Sequence, residues 1–358
     1  MGGLMTKNLT ERALTLARRS ELLWSLRSFF REEGFLELEP PSIVTCPGME
    51  PHLDAFELKA RYAHHGLELS EAERAPRRWL HTSPEHALKR LLGEGFERVY
   101  AIGPCYRDEP PSSTHNPEFT MLEWYMKGAE LPELMTQCER LIQALATRAA
   151  SLLEAGPQAA DPDHLQRLKS LSARNFERLS VREAFIRYAD LELPPYHELS
   201  LFKEAALRAG VRASALERLT SWDELYFQVF LDLIEPQLGR ERPVFLYDFP
   251  SSQSALAKLK PDDPRWALRF ELFDRGYELA NAFDELSDPV EQRARFVEEL
   301  ATRAARGAPR YPLDEPLLEV LPQLGQCVGI ALGFDRLVMT LLGRAEISEV
   351  LAQPWGEP

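Results

Sequence analysis

From Arg107 to Phe119 the chain reads RDEPPSSTHNPEF, and no other stretch restricts the fold as much. The preceding Val99 to Tyr106 has the branched and aromatic content of a buried strand, and Pro110, Pro111, Ser112 and Ser113 are turn chemistry. A second strand then brings His115 and Phe119 back alongside the first. Two residues apart on a strand, Arg107 and Glu109 share a sheet face. A hairpin lined this way can hold a nucleotide, with guanidinium on a phosphate oxygen, carboxylate accepting from a base amino group and aromatic ring under the base. An isolated Arg-x-Glu also reads as a surface hairpin with an ordinary ion pair.

The surrounding pattern alternates helices with short strands. Apolar residues recur at helical spacing from Leu9 to Glu33, and Gly34 closes that helix. Phe35 to Glu39 alternate as a strand that Pro40 and Pro41 stop. Ser83 is read as the N-cap of a helix with Pro84 in its first turn and Ala87, Leu88, Leu91 and Leu92 on its apolar face. Pro132 to Leu153 is helical, whereas Ala155 to Arg174, polar and carrying Pro157 and Pro162, reads as a linker or insertion. Helices follow at Val181 to Asp190, Leu201 to Ala209 and Trp222 to Glu235, and strand character at Val244 to Phe249 and Phe270 to Phe283. A helix over Pro289 to Arg306, a small-residue strand over Val328 to Gly333 and an apolar helix from Phe334 to Leu342 complete the reading. Hairpin-connected strands with helices outside predict an α/β fold of the α+β type, with an antiparallel or mixed sheet rather than a doubly wound parallel one.

Charge and cysteine content narrow the function classes. The net charge of -14 argues against an extended nonspecific nucleic-acid surface, since Lys and Arg on phosphates supply most such affinity. Local basic patches remain available at Arg77 and Arg78, or at Arg303, Arg306 and Arg310. Cys46, Cys105, Cys138 and Cys327 form no C-x-x-C pair, which speaks against a disulfide framework or zinc knuckle. No apolar run is long enough to span a bilayer and no apolar signal core opens the chain, so the expectation is a cytoplasmic protein without membrane contact.

Three further constellations carry chemistry. Gly329 to Arg336, GIALGFDR, puts small residues on a strand that a ligand can approach closely, with Arg336 at the following helix start, a combination suited to polyphosphate. In YELANAFDEL, Glu278, Asn281 and Glu285 can coordinate magnesium bridging nucleotide phosphates or accept from a substrate ammonium. On a regular strand Glu278 and Glu285 would face oppositely, so both reach one pocket only if the strand ends or bulges near Asp284. Thr82 to Glu85 offers helix-start donors and a carboxylate.

Taken together these elements resemble the three signature motifs of the class II aminoacyl-tRNA synthetases, in particular their lysyl branch. Gly34 to Pro41 looks like motif 1, Arg107 to Phe119 like motif 2 and Gly329 to Arg336 like motif 3. The resemblance runs from about Leu16 to Leu351, and TSPEHALKRLL, HNPEFTMLEWY and ELANAFDELSD are close likenesses. Motif 1 begins too near the start to leave room for the anticodon-reading OB domain of lysyl synthetases. The expectation is therefore a single catalytic domain over residues 1–358, with an insertion at about 154–178, similar to truncated lysyl synthetase paralogues that ligate (R)-β-lysine to a lysine of elongation factor P.

Carried over position by position, the resemblance implies ATP contacts from Arg107, Asp108, Glu109, His115, Asn116, Glu278, Leu279 and Gly333, with Phe119 under adenine and Arg336 near the terminal phosphates. It implies amino-acid contacts from Ser83, Pro84, Glu85, Tyr125, Asn281, Glu285 and Ala331, and Mg2+ at Glu278 and Glu285. Two ammonium groups on lysine or β-lysine need acidic and polar partners when desolvated, which Glu85, Glu285 and Tyr125 supply. Ala331 stands where lysyl synthetases usually have glycine, as in the truncated paralogues, and Ala282 and Asp284 also depart from the usual pattern.

The implied reaction is attack of the substrate carboxylate on the α-phosphorus of ATP, with Arg107 and Arg336 as the catalytic cations, followed by transfer to an acceptor amine. Motif 1 implies a homodimer. Three readings are weighed: a protein-modifying ligase acting on elongation factor P, an enzyme aminoacylating tRNA or a small molecule, and a catalytically dead regulatory module. Retention of Arg107, Glu109, Glu278, Glu285 and Arg336 weighs against the last, and the acidic balance and missing anticodon domain against tRNA.

Overall fold

The computed structural model describes residues 10–50, 52–58, 77–156, 161–194, 198–254 and 256–356. The expected start of the first helix at Leu9 and residues 157–160 of the expected linker lie outside them. The strands are β1 (Leu36–Glu37), β2 (Ile43–Val44), β3 (Glu57–Leu58), β4 (Arg78–Leu80), β5 (Arg98–Tyr106), β6 (Glu118–Lys127), β7 (Glu177–Ser180), β8 (Val244–Pro250), β9 (Trp266–Asp274), β10 (Tyr277–Asp284) and β11 (Cys327–Gly333). The helices are α1 (Glu11–Glu32), α2 (Glu85–Gly93), α3 (Leu131–Glu154), α4 (Pro162–Ala173), α5 (Val181–Ala189), α6 (Leu199–Arg208), α7 (Ala213–Leu216), α8 (Trp222–Val229), α9 (Pro289–Ala305), α10 (Glu315–Leu324) and α11 (Phe334–Leu342).

Eight strands form one sheet in the order β1-β5-β6-β11-β10-β9-β8-β7, and β2, β4 and β3 form a small second sheet. The large sheet is antiparallel apart from its two outermost pairings, β1 with β5 and β7 with β8. Strand alternation divides its faces. Leu122, Trp124 and Met126 of β6, Val328, Ile330 and Leu332 of β11, and Ala280 and Ala282 of β10 join one core with residues of α1, α3, α4 and α11. Their sequence neighbours Glu123 and Tyr125, Gly329, Ala331 and Gly333, and Asn281 and Phe283 line a cavity on the opposite face. Two further clusters flank that cavity, one including residues of α2, α9 and α10, the other residues of α5, α6 and α8.

Several expectations change. Residues 162–173 of the expected linker are helix α4, because Asp161 caps it with its side chain, Pro162 starts it, and Leu168 and Leu171 are buried in the main core. The single strand expected over Phe270 to Phe283 is the hairpin β9-β10, turned at Arg275 and Gly276, both at positive φ. Pro84, not Ser83, occupies the cap position of α2, and Ser83 Oγ accepts instead from the Glu85 N–H. Arg303 is buried rather than part of a basic patch, donating to backbone carbonyls of Glu50, Leu53 and Pro309 and pairing with Asp54 at 2.7 Å.

Candidate active site

The cavity on the open face of the sheet has a volume of about 870 Å3. Of the residues expected in the site, Ser83, Glu85, Arg107, Glu109, His115, Asn116, Phe119, Tyr125, Glu278, Leu279, Asn281, Glu285, Ala331, Gly333 and Arg336 line it. Pro84 and Asp108 do not. Pro84 is spent on starting α2, and Asp108 is exposed, with its N–H donating to Asp54 O at 2.8 Å.

One half of the cavity is cationic and aromatic. β5 ends at Tyr106 and β6 starts at Glu118, so Arg107, Glu109 and His115 lie in the connecting loop and not on the strands expected for them. The prolines cannot extend the ladder, and the loop curls so that Arg107 N–H meets Pro117 O at 2.9 Å. Arg107 and Glu109 nevertheless line one wall. The Arg107 guanidinium lies 5.0 Å from the Phe119 ring centroid, and its buried Nε has no hydrogen-bond partner.

Arg336, in the first turn of α11, donates to Thr114 O at 3.2 Å, Glu278 O at 3.0 Å and His115 Nε2 at 2.6 Å. Because guanidinium only donates, His115 carries its proton on Nδ1, toward Ser112 Oγ at 2.9 Å. Burial, and then the Arg336 charge, holds His115 below the ordinary imidazole value, keeping it a neutral acceptor. Asp335 anchors this corner by accepting from Arg19 and from the Thr120 N–H, each at 2.6 Å. Asn116 is tied up locally, donating to Glu118 O at 2.5 Å and accepting from the Trp355 N–H at 2.9 Å.

The other half is anionic. Glu85 from α2, Glu123 from β6 and Glu285 just past β10 are all buried around Lys89 of α2. Lys89 pairs with Glu85 one helical turn earlier and forms an ion pair 2.5 Å from Glu285 Oε2, while neither Glu285 oxygen has a hydrogen-bond partner. Glu123 accepts from Ser83 Oγ and from the Tyr125 hydroxyl, each at 2.6 Å. Burial, then the Glu85 charge, pushes Glu123 up to about 8. Burial likewise pushes Glu285 up to about 8, against the pull of Lys89. Burial opposes the Lys89 charge, but Glu285 and Glu85 outweigh it and raise its pKa.

Glu278 and Glu285 both reach the cavity, as their odd spacing required of a bulged or terminated strand. The register shift sits between Glu278 and Ala280 rather than near Asp284, and Glu285 lies beyond the strand end. The two carboxylates of the expected metal pair stand in different electrostatic surroundings. Glu285 pairs with Lys89, whereas the Glu278 charge acts on Glu271 and Glu235; burial raises both, Glu271 to about 8 against the pull of Arg269, with which it pairs. Among the described residues the one close trio of metal-type donors is Cys46, His86 and Asp314, where Arg90 already pairs with Asp314 at 2.5 Å. At Gly329 the close approach comes from the protein and not from a ligand. A Cβ there would lie 2.3 Å from both Glu285 Oε1 and the Tyr125 ring.

Lys89, Glu123 and Glu271 are the residues that sequence reasoning missed. Lys89 four residues after Glu85 reads as an ordinary surface pair on a helix. Glu123 did carry a signal, a lone acid inside the apolar run Met121 to Tyr125.

A mixed, mainly antiparallel sheet with a hairpin arginine on its open face, a helix-start arginine opposite and an acidic pocket alongside defines the catalytic unit of a class II synthetase. The chain belongs to the tRNA synthetases class II (D, K and N), whose family model matches residues 5–356, and it is an ATP-dependent aminoacyl ligase. Its relatives include three proteins named elongation factor P–(R)-β-lysine ligase, each 35% identical. Those of Hamiltonella defensa and Proteus mirabilis align over 340 and 342 residues, each 95% of this chain and 94% of the relative. That of Yersinia enterocolitica aligns over 344 residues, 95% of each chain.

Proposed function

We propose that this enzyme activates (R)-β-lysine, or lysine, as an aminoacyl-adenylate and transfers it to a lysine side chain of elongation factor P, the reaction for which its relatives are named. The observation that carries the reading is a charge count. Three buried carboxylates, Glu85, Glu123 and Glu285, surround a single cation, Lys89, so the fully ionised pocket has an excess of two negative charges, matching a substrate with two ammonium groups. The adjoining cationic half suits ATP, with adenine on Phe119 and phosphates between Arg107 and Arg336.

The substrate carboxylate attacks the α-phosphorus in line, forming the mixed anhydride as pyrophosphate leaves. Arg107 and Arg336 stabilise the charge developing on the phosphate oxygens, and the ammonium pocket holds the reactants in attack geometry. In the second step the acceptor lysine nitrogen attacks the activated carbonyl, the amide forms, the acyl–phosphate bond breaks and AMP departs with its electron pair. The attacking amine must first lose a proton, because an exposed lysine titrates near about 10.4. Glu278 with Glu271, as paired oxygen donors, fits Mg2+ better than Glu278 with Glu285. Bound there, the ion would neutralise phosphate charge.

The same reading places the enzyme in the cytoplasm, and among the described residues no helix is long and apolar enough to cross a membrane. It also includes a homodimer built on the motif 1 region, where Trp24 is 67% and Ile43 58% exposed. The test is to incubate the enzyme with ATP, each lysine isomer, and either elongation factor P or tRNA, and to follow the acceptors by intact mass. A lysyl unit gained by elongation factor P supports the proposal. Transfer to tRNA alone overturns it.

A further inference from the structure

We propose that Lys89 is a positioning residue that sets the charge demand of the amino-acid pocket, opposing the protonation of Glu285 and aiming Glu85 and Glu285 so that they receive the ammonium groups of a diamino acid. The inference rests on the diamino-acid reading above but concerns a side chain that reading leaves without a role.

Lys89 is 2% exposed, and its ammonium bridges two elements that meet only in the folded chain, pairing with Glu85 of its own helix and with Glu285 past the end of β10. The groups around this pair come from every neighbouring element: Glu123 and Tyr125 from β6, Cys327 from β11, and Glu299 of α9 on the far side of Glu85. These four are acids or neutral at pH 7; His86 and Arg295 act on Glu299 and Lys127 on Cys327, whereas Lys89 is the cation paired with both Glu85 and Glu285. Without it, three buried carboxylates would face one another, and like charges in low dielectric take up protons instead of staying ionised. A protonated carboxyl accepts an ammonium poorly. Lys89 forms an ion pair at one oxygen of Glu285, and neither oxygen has a hydrogen-bond partner, so the pair orients the acid while it keeps its hydrogen-bonding capacity.

The test compares Lys89→Met, close in volume but uncharged, with Lys89→Arg. Pyrophosphate exchange gives KM for each lysine isomer and for ATP between about pH 6.5 and 8.5, and carboxyl-carbon NMR of the free enzyme gives the glutamate titration midpoints. Loss of a neighbouring cation should raise the midpoints of Glu123 and Glu285 by about one pH unit or more. Below those midpoints this cuts the ionised fraction, and raises the amino-acid KM, about tenfold. KM for ATP should stay within about twofold, which also reports that the variant is folded, and Lys89→Arg should return the midpoints toward wild type. Unmoved midpoints, or equal rises in both KM values, would overturn the assignment and leave Lys89 a packing residue. Wild-type enzyme that activates neither isomer, while the midpoints still move on loss of Lys89, would instead sink the substrate reading and keep the counter-charge role.

Discussion

Glu123 and Glu285 are acids that burial lifts to about 8, so near neutral pH each is protonated for a substantial part of the time. A substrate ammonium binds the ionised form, and protons compete with it below that value. The amino-acid KM should therefore fall as pH rises from about 7 to 8.5, while KM for ATP stays level, as pyrophosphate exchange with one substrate held saturating would measure. An amino-acid KM that rises over this range contradicts ionised carboxylates as the ammonium ligands. Individual residues were legible in the chain through the motif around them and not singly: Arg107, Glu109, Phe119 and Arg336 all line the cavity. Lys89 was not, because an i,i+4 Glu-Lys pair has the same spacing on a solvated helix as in a buried pocket.

Elements were legible where period and punctuation agree, as in α1, closed by Gly34 at positive φ, or α3, opened by a Glu130 and Glu133 capping box. Where one residue breaks the period, the reading failed. The register shift between Glu278 and Ala280 inverts the facing of everything after it, and the composition of YELANAFDEL does not mark which residue bulges. β11 makes the most exact demand of any strand. Gly329 pairs with Tyr125 on one side and Phe283 on the other, and Glu285 and Tyr125 fill the space over it. Gly329→Ala should destabilise the protein by about 1–3 kcal/mol in chemical denaturation and raise KM for the amino acid more than for ATP. A variant as stable as wild type would mean that Glu285 and Tyr125 do not converge there.

In the whole molecule, helices α1, α3, α4 and α11 bury one face of the sheet and leave the other free to carry chemistry, so stability and catalysis occupy alternate residues of the same strands. The proposed homodimer belongs at this level, since the exposed Trp24, Leu36 and Ile43 lie on α1, β1 and β2. Light scattering at micromolar concentration should give twice the chain mass, and Trp24→Glu should shift it toward the monomer. A monomeric wild-type protein would remove the dimer. Local order in the chain was enough to establish the class of fold, because period and caps act over a few neighbouring residues, and the motif stretches carried the resemblance that implied the reaction. The pairing of Lys89 with Glu285, the placing of Glu278 with Glu271 instead of Glu285, and the tight fit at Gly329 emerged from folding alone. Each depends on groups far apart in the chain whose charges and volumes meet only when water between them has been excluded.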